Sequence, residues 1–182
     1  MSKRITIDEL QTYLWNSAVL LRTSIDAGSY KQYIFPLLFF KRICDVYDEE
    51  TEKAVAEYGE DASEFDEQEI HTFVVPQGYH WNDVRAVSEN VGVAIVEAFR
   101  KIETANIDKL QGIFGDGAWT NKNRLPDRLL KDLMEHLAQK PSPLQIALKM
   151  NWDRDMSTLS KSLQMTAGIQ RRSFIPTELW ST

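Results

Sequence analysis

The residues best suited to chemistry are the run Trp119-Thr120-Asn121-Lys122-Asn123-Arg124. An aromatic ring, a hydroxyl, amides and two cations stand side by side there, and these are the groups that contact phosphate and sugar. The run falls on a loop just ahead of a helical pattern. Trp119 is therefore read as core packing at a capped helix entry. For Lys122 and Arg124, solvated helix-entry charges and phosphate contacts stand level as alternatives.

No active site accompanies this run. The one glycine cluster, residues 112–117 (GIFGDG), matches neither G-x-G-x-x-G nor a phosphate-binding loop, and no strand precedes it, so it reads as a connection between helices. His71, His80 and His136 lack metal-ligand spacing with one another or with cysteine. No serine sits in a G-x-S-x-G setting, and no carboxylate pair stands out as a buried acid/base couple. Cys44, the single cysteine, lies in an apolar run and reads as packing. One thiol cannot form an internal disulfide framework, which fits a reducing compartment. No catalytic, cofactor-binding or metal-binding residue is assigned.

The elements that position these residues are helical. Thr6-Ile7-Asp8-Glu9 has the capping-box pattern, and Ile7, Leu10, Leu14, Ala18 and Leu21 line one face, which predicts a first helix over about 7–22. A second helix starts near Ser29 and runs to about Tyr58, where Gly59 breaks it. Its apolar band is wide enough for a central helix buried on most sides, with a kink expected at the interior Pro36. Residues 71–76 form a short extended piece that supports at most a short β-hairpin. Asn82 or Asp83 is placed to cap a brief helix, and Ser88 to open a third long one with Val91, Ala94, Ile95, Ala98, Phe99 and Ile102 inward. A helical turn is expected over 107–114, and a last helix over about 126–138 presents Leu129, Leu130, Leu133, Met134 and Leu137. The expected fold is mainly α, a compact multi-helix bundle of four or five helices.

A composition of 43% hydrophobic and 26% charged residues excludes global disorder. The net charge of −6 argues at first against nucleic acid. It is unevenly spread, because residues 45–69 hold twelve acids and one base, Lys53. The other residues carry 15 acids against 20 Lys and Arg, a net of +5. The acidic block reads as a solvated helix end and loop, with a phosphate-repelling tongue or a dock for a basic partner as the functional alternative. The apolar run at 33–40 is too short to span a bilayer, and no secretory leader follows Met1, so a cytoplasmic protein is expected.

Stretches in register carry a family resemblance: residues 30–34 (YKQYI) with 37–46 (LLFFKRICDV), 73–84 (FVVPQGYHWNDV), 105–119 (ANIDKLQGIFGDGAW) and 129–136 (LLKDLMEH). Together, from about Ile5 to Leu137, they resemble the N-terminal helical domain of the modification subunit of type I restriction–modification DNA methyltransferases. The resemblance implies a helical domain that helps clasp DNA and contacts a specificity subunit and a second modification subunit, with the restriction subunit as a further partner. The DNA-contact candidates are Lys122, Asn123, Arg124 and Lys31. It also implies a following doubly wound domain that transfers a methyl group from S-adenosylmethionine to adenine N6 on a flipped base. That chemistry uses a glycine-rich cofactor loop and an Asn-Pro-Pro-Phe type motif, and neither occurs in these residues. Methylation by this chain alone is not expected. The alternative reading is an unrelated helical interaction module whose acidic segment binds a partner.

Beyond about Leu137 the resemblance stops, and residues 150–156 show neither helical nor strand periodicity. Family members continue with a segment resembling EDELGQGYEYL, then KFADDSG, then EFxTxRxV. A DNA that encodes residues 149–159, read from one base earlier, gives EDELGQGYEYL. Residues 161–180 treated alike give KFADDSG and later EFHTNRTV. Met and Trp have single codons, so Met150, Trp152 and Met156 left no choice; synonymous codons were chosen elsewhere. The expectation is a helical domain over 1–139 and an irregular, out-of-frame tail over 140–182, with the frameshift between roughly Leu137 and Leu148. Resequencing the gene is expected to reveal a reading frame that continues downstream into a methyltransferase domain. Its absence would refute the frameshift.

Overall fold

A computed structural model describes residues 7–26, 29–59 and 66–138, without the side chains of 7–11, 14 and 31. The capping box expected at Thr6 and Glu9 and the tail expected over 140–182 lie outside the described residues. Seven helices are described: α1 (Ile7–Leu21), α2 (Lys31–Tyr58), α3 (Glu67–Ile70), α4 (Trp81–Ala86), α5 (Val91–Ala105), α6 (Ile107–Leu110) and α7 (Asp127–Ala138). Four are long, and α3, α4 and α6 are short pieces of the connections. The mainly α expectation is met.

Helix α2 is the frame. Its 28 residues span about 40 Å at the usual rise. The first half is central, with Tyr33, Ile34, Leu37, Leu38, Phe40, Ile43 and Cys44 all buried. The helix continues through Pro36, although proline has no N–H to offer the carbonyl of Gln32. The second half leaves the core. From Thr51 to Gly59 only Ala54 is buried, because the acids there are solvated.

Helices α5 and α7 close on that frame with helical-period stripes, Val91, Gly92, Ile95, Ala98, Phe99 and Ile102 on one and Leu130, Leu133, Met134 and Leu137 on the other. Each fully buried leucine contributes about 1.5–3 kcal/mol of transfer free energy. Phe99 is the aromatic hub. It stacks on Phe114 at 4.2 Å and meets Phe40 and Trp119 edge-on at 5.7 and 5.5 Å. Helix α1 packs on α7, where the Tyr13 ring stacks on His136 at 4.9 Å and its hydroxyl donates to the His136 carbonyl at 3.4 Å. Arg85 of α4 holds Glu135 of α7 with two N–H donors.

Residues 71–76 do not form a strand. The side chain of Asn106, at the C-terminus of α5, takes the place of a neighbouring strand. Its Oδ1 accepts from the Val74 N–H at 2.8 Å, and its Nδ2 donates to the Val74 carbonyl at 2.8 Å and the Ile102 carbonyl at 2.7 Å. One buried amide thus satisfies both polar groups of Val74 without a partner strand. The third long helix opens at Val91, not Ser88, behind Asn90 in a left-handed conformation (φ 56°).

Gly92 is where α5 meets the connection to α7. A Cβ on it would stand 2.0 Å from the Trp119 carbonyl oxygen, a backbone atom that cannot swing away. Helix propensity favours Ala over Gly by about 1 kcal/mol, whereas overpacking costs about 1–3 kcal/mol or more. Sterics win, and Gly92→Ala is expected to lower the denaturant midpoint in a circular-dichroism melt. An unchanged or raised midpoint would contradict the contact.

Candidate nucleic-acid interface

The loop ahead of α7 is pinned at both ends. Trp119 is 3% exposed, with its ring edge-on to Tyr33 at 5.1 Å, and Leu125 is 1% exposed. Between them residues 120–124 are all exposed. Asn121 shapes the turn: its carbonyl accepts from the N–H groups of Arg124 (3.0 Å) and Leu125 (2.8 Å), and its Oδ1 from the Asn123 N–H (3.2 Å). Gly117 gives the Trp119 ring its room, since a Cβ there would lie 2.6 Å from the indole nitrogen. Trp119 is therefore core, as the sequence indicated, and Lys122, Asn123 and Arg124 face outward because the residues on either side are buried.

Two carboxylates meet the cations. Lys122 Nζ lies 3.4 Å from Asp127 Oδ2, and Arg124 Nη2 lies 3.4 Å from Asp26 Oδ1. The second contact joins this loop to the α1–α2 connection, where Arg22 and Asp26 both act on Tyr30. Burial raises the Tyr30 phenol pKa, Arg22 lowers it and Asp26 raises it further. Arg128, in the first turn of α7, is 93% exposed. Lys31 is the first residue of α2, and its side chain lies outside the described residues. The C-terminus of α1 and the N-termini of α2, α5 and α7 thus come together at one end with Arg22, Lys122, Arg124 and Arg128. The acids of the second half of α2 begin about 20 Å along it and reach its far end at about 40 Å, and α3 lies beside Tyr47. Even the nearest is more than about two Debye lengths away at physiological salt, so the acidic half weakens the potential at the basic end only a little.

Asp127 does a second job. Its carboxylate accepts from the backbone N–H groups of Asn90 (3.1 Å) and Val91 (2.9 Å), capping α5 from across the fold. Partial desolvation opposes its charge, but those two N–H donors and Lys122 prevail and hold the carboxyl below the usual range. Sequence reasoning missed this role. An acid beside Pro126 reads only as a first-turn residue of its own helix, and nothing local marks a cap 36 positions away. The partners Asp26 and Asp127 were likewise unread.

The fold defines an all-helical domain among the described residues. No described helix is long and apolar enough to cross a membrane. A family model described as the HsdM N-terminal domain matches residues 10–137, and the chain belongs to that family. It is thus the N-terminal region of a type I restriction–modification modification subunit. No curated protein matches the chain.

A carboxyl whose pKa is lowered by folding stabilises the fold above its unfolded value, and that contribution is lost as pH falls through the folded one. Asp127→Asn is therefore expected to lower Tm at neutral pH, with the difference shrinking only as pH falls below the ordinary carboxylate range and through the lowered folded value. A Tm difference that stays constant across this range would contradict the charged cap.

Proposed function

We propose that this domain lies against the duplex DNA backbone through its basic end and helps assemble the modification enzyme through its other surfaces. The observation that carries the reading is the outward display of Lys122, Asn123 and Arg124 between two buried anchors, beside Arg22, Arg128 and the start of α2. Such groups bind phosphates without reading sequence. Target recognition is assigned to the specificity subunit. Methyl transfer from S-adenosylmethionine to adenine N6 is assigned to a catalytic domain outside these residues, as the family resemblance implies. A second modification subunit, the specificity subunit and the restriction subunit are the proposed protein partners. The acidic half of α2, turned away from DNA in this pose, is left accessible to them. Residues 140–182 are proposed to be translated out of frame, a reading that rests on the shifted frame of a DNA that encodes them.

The test is duplex DNA binding by fluorescence anisotropy over a salt series. Few cations are available, so binding of the chain is expected to be weak and to fall with salt as counterions are released. Lys122→Gln with Arg124→Gln is expected to weaken it and to reduce the salt slope by about 2. Labelled S-adenosylmethionine is expected to give no transfer. Wild-type binding that the double substitution leaves unchanged would refute the assigned face.

A further inference from the structure

At the basic end Lys122 and Arg124 each meet a carboxylate that is itself held in place. Arg124 Nη2 faces Asp26 Oδ1 at 3.4 Å, while Asp26 Oδ2 accepts from Ser29 Oγ at 2.9 Å and the Asp26 carbonyl accepts from the Ser29 N–H at 2.9 Å. Lys122 Nζ faces Asp127 Oδ2 at 3.4 Å, while Asp127 is fixed by the N–H groups of Asn90 and Val91. The carboxylates are the stationary halves of these pairs and the long cationic side chains the movable ones. Both contacts are longer than the 2.7–2.9 Å of a tight charge-assisted hydrogen bond. Arg124 and Asp26 are 45% and 59% exposed, the setting in which an ion pair is weak and easily exchanged.

We infer that Asp26 is a built-in competitor for phosphate at Arg124, which lowers the domain's affinity for any duplex backbone. The inference rests on the proposed DNA face and adds its regulation. A phosphate approaching Arg124 must displace Asp26, which stays nearby because Ser29 holds it, and the two anions repel. Asp26 thus subtracts from the sequence-independent attraction. Stable seating then depends on contacts supplied by the rest of the assembly, so the domain does not hold arbitrary DNA on its own. Asp127 acts on Lys122 in the same way, but its capping of α5 confounds its substitution, which leaves Asp26 as the clean probe.

The experiment uses the 182-residue chain and two polyanions, a duplex of arbitrary sequence and heparin, read by anisotropy and by competition with a labelled duplex or oligosaccharide. Asp26→Asn is expected to tighten duplex binding roughly two- to fivefold at low salt, the range set by a weak exposed pair. In an Arg124→Gln background the same substitution is expected to change little, because competition acts through that guanidinium. Glu52→Gln, which removes one acid at the far end of α2, is expected to have little effect. Equal gains from Asp26→Asn and Glu52→Gln, or a full gain retained in the Arg124→Gln background, would reduce the effect to net charge and overturn the inference. Asp26→Asn matching wild type while Arg124→Gln weakens binding would overturn it and leave the DNA face standing. An Arg124-dependent gain on heparin with no duplex binding would keep the competitor and sink the DNA reading. Binding of neither polyanion would overturn both.

Discussion

The carbonyl of Trp119 rests against the backbone of Gly92, and most of the domain's arrangement follows from that approach. It is possible only because residue 92 has no side chain, and it brings the loop ahead of α7 onto the first turn of α5. The indole then fills the space between Tyr33 of α2 and Phe99 of α5, so one residue fixes three elements. A few residues on, Asp127 reaches back to cap the same end of α5. The loop is thereby closed on α5 from both sides. The cations between are displayed by constraint, since their neighbours in sequence are committed to the interior.

Charge is partitioned along the same framework. The chain's formal charge is −6, yet four exposed cations, Arg22, Lys122, Arg124 and Arg128, stand where three long helices begin, and many of its acids lie on the solvated half of α2. A helix of 28 residues separates the two populations by more than the screening distance. The sign of the whole molecule is therefore a poor guide to the sign of its binding end. Charges within the framework are paired locally, Lys41 with Asp45 and Arg42 with Glu49, so they stabilise α2 and add little to the outer field.

Much of this was legible in the sequence because it is periodic. The long helices and the inward stripes of α5 and α7 follow from apolar spacing, and the burial of Trp119 follows from its place beside a helix start. The failures share one physical origin, which is contact between distant segments. The extended piece at 71–76 looked able to pair with a strand, but Asn106 satisfies it through a side-chain amide, and no local pattern announces that. Asp26 and Asp127 went unread, because their partners Arg124, Asn90 and Val91 lie far away in the chain and nothing local marks the contacts. The candidate cations themselves were visible as residue types. Their exposure and pairing were not, since these depend on which neighbours are buried.

The central claim is that the domain meets DNA with one end, and the most direct measurement is amide chemical-shift mapping of the isotope-labelled chain as an arbitrary duplex is added at low salt. The account expects shifts confined to the end of α1, the start of α2 and the loop and first turn around residues 119–128, reversed by added salt. Shifts centred on the acidic half of α2 and on α3, or spread evenly over the surface, would contradict it.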